Sequence, residues 1–437
     1  MFVEVIRNQI PGNLGDARAI LPACAPAFNG CELYSVSMFM GIKLVYNEIN
    51  TSPQNLPFQR SKKMILFILY EFVSNHQKGA SGGNISNYLL IEKLRHHRKV
   101  GIIAPNITKE LEVELKAKGI LVITENIKSK TPFKRFKKRQ WLKKTIHEIT
   151  SQPTTLTPNI DIVVSSNGTC DLTSAFQKET TEVFILCRAF EDFFNHNSYY
   201  PLKEKAKRLL IKLISEKKIS SAYKSANKII TNSDFMKNFI QHHYPNANIS
   251  VLFPPIDITI KNYKTPPPQP IVGIINPSSR KGEDIFISLA KHYPSFKFKY
   301  FSQSDKNYTF ENIEYAGWLS DREVLFSNVD ILIAPSVWSE PFGRVSVEAI
   351  RSGIPVLVSN VGGLPETVDP AFVVHSQSFE SWTKKIHWLI NNPAEVESAW
   401  FSSIIRSKKF EQNSHDESAL NIFNPNSKLK NTNESTT

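Results

Sequence analysis

The hydrophobic pattern of this chain runs its course twice. Apolar runs at 64–70, 100–104, 120–124, 161–164, 183–186 and 228–231 are too short for helices. They read as buried strands, and helical stretches such as 85–98 and 203–226 separate them. Two proline clusters then interrupt, at 254–255 and 266–270. Proline removes a backbone donor and fixes φ, so neither cluster continues a sheet or a helix. The alternation restarts with strands expected at 271–275, 296–300, 331–334 and 355–359. Helices are expected at 283–292, 322–327, 345–352 and 379–391. Strand–helix alternation implies parallel sheets covered on both faces. The expected fold class is therefore α/β, with two doubly wound parallel-sheet domains in succession. A ligand between them would sit at the carboxyl ends of both sheets.

The boundaries follow from the text. Residues 1–61 hold scattered Gly and Pro with no sustained period and read as an N-terminal extension. The first α/β domain is 62–257, the proline-rich linker 258–270 and the second domain 271–395. A C-terminal helix is expected at 396–410, with a return to the first domain as one possible course, and a disordered tail at 411–437. With 41% hydrophobic and 21% charged residues, wholesale disorder, a collagen and a heptad rod are excluded. No apolar run approaches the ~20 residues of a membrane span. The first residues lack the basic and apolar regions of a secretory signal. Cys24, Cys31, Cys170 and Cys187 form no Cys-x-x-Cys pair, which speaks against a disulfide framework or zinc site. A cytoplasmic location is the expectation.

One stretch carries most of the chemistry. In 329–349 an apolar strand ends at Pro335, a loop carries Glu340, Gly343 allows a turn, and a helix with Glu348 in its first turns follows. The amides that open such a helix favour an anion such as a diphosphate. Two carboxylates beside a phosphate site make sense if they accept hydrogen bonds from sugar hydroxyls. Spacing alone does not separate this from two ordinary helix-start acids.

The surrounding residues do. Glu340 and Glu348, eight apart within Ser-Glu-Pro-Phe-Gly, resemble the signature of retaining family 4 (group 1) glycosyltransferases of the GT-B fold. That fold is two Rossmann-like domains facing each other across a cleft. Gly353-Ile-Pro-Val through Gly362-Gly363-Leu-Pro-Glu366 resembles the family's next strand and turn. Val272-Gly-Ile-Ile through Arg280-Lys281-Gly282 resembles its first donor-domain strand and Lys-Gly element. The stretches 231–236 and 251–257 resemble the end of its acceptor domain. The resemblance implies a sugar transfer from a nucleotide-sugar donor to a glycan or lipid-linked acceptor. Glu340 would contact the donor sugar and Glu348 the ribose. Phe342 and Gly343 would offer amides to sugar or phosphates. Lys281, with Arg280 beside it, would steady the leaving diphosphate. Gly82 and Gly83, Arg188, Gly362, Gly363 and Glu366 complete the implied substrate-binding set. No metal and no other cofactor is expected.

Two positions depart from the family pattern. Ile275 stands where many members carry an Arg that clamps phosphate, and Arg280 is a candidate substitute. Arg188 follows the strand at 183–186 where many members carry a His, with Glu191 and Asp192 as candidates to face the acceptor. These departures leave two rivals: a GT-B nucleotide-sugar epimerase, and a degenerate protein that binds nucleotide sugar without turnover. The Gly-rich loop at 79–84 is neither Gly-x-Gly-x-x-Gly nor a P-loop, which argues against a dehydrogenase and an ATPase.

Charge adds a second theme. Residues 61–150 hold 19 Lys and Arg against 7 Asp and Glu, nearly all of the chain's excess of 13. Within 133–144, seven cations are packed with three aromatics. Thr131-Pro132 can open a helix there. Such a segment suits an anionic membrane surface, and peripheral attachment at the inner face is the expectation. No recognition helix, zinc spacing or RNA-binding aromatic motif accompanies the charge, so nucleic acid is not an expected partner.

Overall fold

In the computed structural model the described residues are 63–73, 82–127, 134–151, 160–177, 180–190, 192–193, 216–303, 311–319 and 321–424. The extension expected at 1–61 lies outside them, as does the first half of the helix expected at 203–226.

The first sheet has seven strands. They are β1 (Met64–Ile68), β2 (Lys99–Ile103), β3 (Leu121–Ile123), β4 (Ile160–Ser166), β5 (Glu182–Cys187), β6 (Lys228–Thr231) and β7 (Ile249–Val251). Their order is β3-β2-β1-β4-β5-β6-β7, and every pair is parallel. All five residues of β1 are buried, because helices cover both faces. This is why the strand reads as an unbroken apolar run instead of an alternating one. The helices include α1 (Gly82–Arg95), α2 (Lys109–Ala117), α3 (Lys134–Ser151) and α4 (Asp234–His243), with a further helical stretch at 216–225.

The second sheet is built likewise from β8 (Ile271–Ile275), β9 (Lys297–Phe301), β10 (Ile313–Tyr315), β11 (Ile331–Ala334), β12 (Val356–Ser359) and β13 (Val373–Val374). Its order is β10-β9-β8-β11-β12-β13, again all parallel. Five helices accompany it: α5 (Glu283–His292), α6 (Arg322–Ser327), α7 (Arg344–Arg351), α8 (Phe379–Asn391) and α9 (Pro393–Ser407). Three strands escaped the sequence pattern: β7, β10 and β13. Each is two or three residues long and sits at a sheet edge, where a short strand needs no continuous apolar run.

Two expectations about the C-terminal part are corrected. The helix expected at 396–410 is α9, and it stays with the second domain, where Trp400 Nε1 donates to the carbonyl of Ile350 at 2.8 Å in α7. The return to the first domain is made instead by α10 (Gln412–Ile422), within the stretch expected to be a disordered tail. Polar residues dominate α10, but Ala419, Ile422 and the following Phe423 enter the first domain's core. Phe423 packs on Phe184 and Phe67, with ring centroids 5.4 and 6.4 Å apart. Lys93 pairs with Asp416 at 2.9 Å, and Lys228 Nζ donates to the carbonyl of Ile422 at 3.2 Å.

The proline-rich linker is fastened to the second domain. Lys261 N–H donates to the carbonyl of Arg351 at 2.8 Å, and Lys264 N–H to that of Gly353 at 2.7 Å. Arg351 Nε answers with a bond to the carbonyl of Ile258 at 2.9 Å.

Candidate active site

Residues at the carboxyl ends of both sheets line one cleft of about 630 Å³. The first domain contributes Ser166 at the end of β4, Arg188 after β5, Asn232 after β6, and the start of α1 with Gly82, Gly83 and Asn87. The second contributes Ile275, Lys281, Trp318, Arg322, Glu340 and the start of α7 through Glu348. In parallel α/β sheets this is where ligands bind.

Lys281 reaches the cleft from a tight turn. Gly282 has φ +74°, and a Cβ there would lie 1.9 Å from the carbonyl oxygen of Pro335. Only glycine permits that approach. Val337 N–H donates to the carbonyl of Arg280 at 2.9 Å, so the turn is tied to the loop that carries Glu340. The result is an ion pair between Lys281 Nζ and Glu340 Oε1. Ser336 Oγ and Trp338 Nε1 donate to the same oxygen at 2.8 and 3.1 Å. Lys281 Nζ also lies 5.9 Å from the Trp338 ring centroid.

The loop after Glu340 is equally constrained. Gly343, with φ +125°, precedes α7, and a Cβ on it would meet Leu364 Cδ2 at 2.7 Å. Phe342 is buried in the second domain's core against Phe253 and Phe410, so its backbone, not its ring, is available to a ligand. Glu348 is 3% exposed. Arg344 Nε donates to its Oε1 at 3.0 Å, and Arg322 Nε lies 3.4 Å from Oε2. Oε2 is buried without a hydrogen-bond donor, and Arg322 Nη1 is buried without an acceptor. Unpaired buried polar atoms are costly, and in a cleft they fit a ligand that brings hydroxyls and oxygens. Arg322 also stacks 5.1 Å from the Trp318 ring centroid.

On the opposite wall Arg188 Nη1 donates to Asn87 Oδ1 at 2.7 Å and to the carbonyl of Gly83 at 3.4 Å. Burial pulls its guanidinium down to about 10. Gly82 and Gly83 open α1 instead of preceding it as a loop, and a Cβ on Gly82 would lie 3.3 Å from Arg344 Cδ across the cleft.

Four expected site residues lie outside the cleft lining. Arg280 contributes its carbonyl to the turn, and its side chain is not a cleft residue. Gly362 and Gly363 instead support the Glu340 loop. A Cβ on Gly362 would meet the Glu340 carbonyl oxygen at 2.1 Å, and Gly363 N–H donates to that oxygen at 2.7 Å. Glu366 accepts the N–H groups of Asp234 and Phe235 at the start of α4. Asp192 does not face an acceptor. It is 5% exposed and takes hydrogen bonds from Gly168 N–H and Tyr223 Oη at 2.9 and 3.0 Å. Glu191 lies outside the described residues.

Sequence reasoning missed Arg322, Arg344, Trp318 and Trp338. Arg344 was legible, since it stands four residues before Glu348 on one helix face. Arg322 was not, because only the fold brings α6 beside α7.

The family model described as "Glycosyl transferases group 1" matches residues 296–403. That stretch of the second domain is similar to group 1 glycosyltransferases. The matched stretch holds Glu340, Glu348, Arg322 and Arg344, while Lys281 and the first domain lie outside it. An uncharacterized protein in the cps region of Klebsiella pneumoniae is 38% identical over 78 residues, 17% of this chain and 22% of that protein. The D-inositol 3-phosphate glycosyltransferase of Corynebacterium aurimucosum is 38% identical over 71 residues, 16% of this chain and 17% of that enzyme. The chain thus aligns with only about a fifth of the length of these relatives. Over the whole fold, Anabaena HepE in complex with UDP-glucose superposes with a TM-score of 0.56 at 18% identity, covering 82% of this chain and 98% of that one. The two parallel-sheet domains flanking the cleft are the GT-B fold.

Proposed function

We propose that this chain is a retaining glycosyltransferase, moving a sugar from a nucleotide-sugar donor to a glycan or lipid-linked acceptor. The observation that carries it is the convergence, in one cleft, of Lys281, Glu340, the start of α7 and Glu348, whose Oε2 accepts no hydrogen bond. Negative charge grows on the β-phosphate as the glycosidic bond breaks, and a fixed cation there lowers the barrier. Lys281 supplies that charge, so no metal is required. Donor binding draws Lys281 toward phosphate, which frees Glu340 to accept hydroxyls of the sugar. Glu348, fixed by Arg344, offers Oε2 to the ribose. The start of α7 lends amides to the diphosphate.

Retention is assigned to same-face attack, with the departing phosphate oxygen taking the acceptor's proton, so Glu340 positions the sugar without becoming covalent. Similarity to the capsular polysaccharide biosynthesis glycosyltransferase CapM of Staphylococcus aureus, 32% identical over 84 residues, supports a polysaccharide context. The UDP-glucose bound by HepE makes uridine nucleotides the first to test.

The test is thermal stabilisation by UDP, ADP, GDP and their sugars, beside Glu348→Ala. A shift for one nucleoside diphosphate, lost in the variant, supports the donor site. No shift with any of them would overturn it. Release of nucleoside diphosphate that depends on added acceptor distinguishes transfer from epimerisation and from binding without turnover.

Among the described residues no helix is long and apolar enough to cross a membrane. Attachment of the cytoplasmic chain to an anionic membrane surface through α3 belongs to the same proposal, because it would bring a lipid-linked acceptor to the cleft.

A further inference from the structure

Four cationic side chains and two carboxylates line the cleft: Arg188, Lys281, Arg322 and Arg344 against Glu340 and Glu348. Three of the cations are already engaged by these acids. Lys281 pairs with Glu340, while Arg322 and Arg344 converge on Glu348. Arg188 is the exception. Its partners are neutral oxygens, those of Asn87 and Gly83, and among the described residues no carboxylate pairs with it.

Arg188 is half-buried in the cleft wall, and a cation partly withdrawn from water without a counter-charge is costly. Its surroundings nonetheless fix it in place. Arg188 N–H donates to Asn167 Oδ1 at 3.0 Å, and Asn232 Nδ2 donates to the carbonyl of Arg188 at 3.1 Å. Asn167 Nδ2 is in turn held by Asp192 Oδ2 at 3.2 Å. The segment is thus braced on both sides, and Asn87 orients the guanidinium beside the first turn of α1.

The second domain lacks a matching group. Ile275, at the end of β8, lines the cleft with an apolar side chain, and the side chain of Arg280 is not among the lining residues. With Arg322 and Arg344 both held by the buried Glu348, Lys281 is the second-domain cation left to meet a diphosphate. The excess of two positive charges in the cleft equals the charge of the diphosphate in a nucleotide sugar, and Arg188 supplies the part that the second domain does not.

We infer that Arg188 is the second diphosphate-binding residue of this cleft, reaching the donor's phosphate oxygens from the domain opposite Lys281. This rests on the proposed donor site and deepens it. A guanidinium offers five N–H donors in a planar fork, and the two bonds that Nη1 makes to Asn87 and Gly83 leave those of Nη2 and Nε for phosphate. Because the two cations sit on different domains, full stabilisation of the leaving diphosphate requires the cleft to be closed. Sugar departure is thereby coupled to exclusion of water.

The test uses the full chain and inorganic pyrophosphate, which needs no knowledge of the base. Calorimetric titration of wild type should show binding. Arg188→Gln should weaken it about tenfold or more, as expected for loss of a hydrogen bond between charged groups. Arg188→Lys should recover part of the loss. The nucleoside alone, taken from whichever nucleotide stabilises the wild type, should bind wild type and Arg188→Gln equally, which a merely structural role for Arg188 would not give. Should Arg188→Gln fail to fold, Asn87→Ala removes the group that orients the guanidinium and should weaken pyrophosphate in the same direction. Unchanged pyrophosphate binding in Arg188→Gln, with loss in Lys281→Ala, would overturn the inference and leave the proposed function standing. Absence of binding by pyrophosphate, UDP, ADP and GDP to wild type would overturn both.

Discussion

Glu366 of the second domain accepts the backbone N–H of Asp234, the first residue of α4 in the other domain, at 3.0 Å. It also accepts the N–H of Phe235. Alongside, Ser233 Oγ donates to the carbonyl of Pro341 at 2.6 Å. A carboxylate from one domain thus completes a helix start in the other, where amides are unpaired and the dipole favours an anion.

This clasp gives a pH signature. Burial raises the Glu366 carboxyl above its ordinary 4.5, outweighing the two amides that lower it. A carboxyl that is harder to ionise in the fold contributes stability below about 4.5 that is lost as pH rises through the folded value. Glu366→Gln keeps an acceptor oxygen and removes the ionisation. The melting difference between wild type and Glu366→Gln should therefore move in the variant's favour between pH 4 and 7. A difference that stays flat across that range would contradict this account of the clasp.

His415 works in the opposite sense. It is 2% exposed on α10, and burial lowers its imidazole from 6.5 to about 4, against the pull of Asp416. Nearby Arg188 and Lys93 lower it further. The unfolded chain protonates this ring near pH 6.5 and the fold resists until about 4. Its contribution is therefore complete above 6.5 and is lost on acidification, by on the order of 3 kcal/mol. His415→Gln should flatten the melting profile between pH 7 and 5. Hydrogen exchange should show α10 loosening first in wild type at pH 5. Equal protection of α10 at both pH values would count against it.

Lys281 and Glu340 separate chemistry from folding. Lys281→Ala leaves Glu340 with two hydrogen bonds, from Ser336 and Trp338, so the fold should persist with a melting shift of a few degrees. Loss of a preorganised charge at the leaving group should lower turnover by about 10²–10³. Glu340→Gln should lower turnover too while nucleoside diphosphate still binds, because its proposed contact is with the sugar. Near-normal turnover in either variant would break the assignment.

Gly282 tests the turn that aims Lys281. With φ +74° and a Cβ position 1.9 Å from the Pro335 carbonyl oxygen, Gly282→Ala meets both a strained backbone, at ~1–3 kcal/mol, and a clash with main chain. The turn must shift, and Lys281 with it. Pyrophosphate affinity should fall as far as in Lys281→Ala. Gly119 has a similar φ of +76° with nothing within 4 Å of the added Cβ, so Gly119→Ala, which carries the strain without the clash, should leave affinity unchanged.

Much of this was written in local pattern. Unbroken apolar runs gave ten of the strands because buried parallel strands need no polar face, and Glu340, Lys281 and Glu348 stood in a recognisable spacing. Two things were not local. The tail looked polar because α10 buries only His415, Ala419 and Ile422, with Phe423 just after it, a stripe too narrow to register in composition. Glu366 looked like a ligand residue because its motif adjoins the site, yet the partner it meets is α4, 131 residues away in sequence. Such pairings depend on how the two domains are set, which no window of residues contains.

The basic block of α3 is divided by the fold. Lys138 is 5% exposed with Nζ 5.4 Å from the Tyr70 ring centroid, and Arg139 pairs with Asp171 while donating to the carbonyl of Gly168 at 3.2 Å. These two cations face the domain. Lys137, Lys143 and Lys144 are exposed, together with Phe136 at 61%. That face offers an insertable ring among charges worth up to ~1 kcal/mol each near an anionic surface. Replacing the three lysines with Gln should weaken binding to vesicles containing phosphatidylserine by roughly a hundredfold and leave melting unchanged. Lys138→Gln should do the reverse, lowering stability with little effect on vesicle binding. Equal co-sedimentation of wild type with anionic and neutral vesicles would remove the membrane from the proposal and assign the charge to solvation.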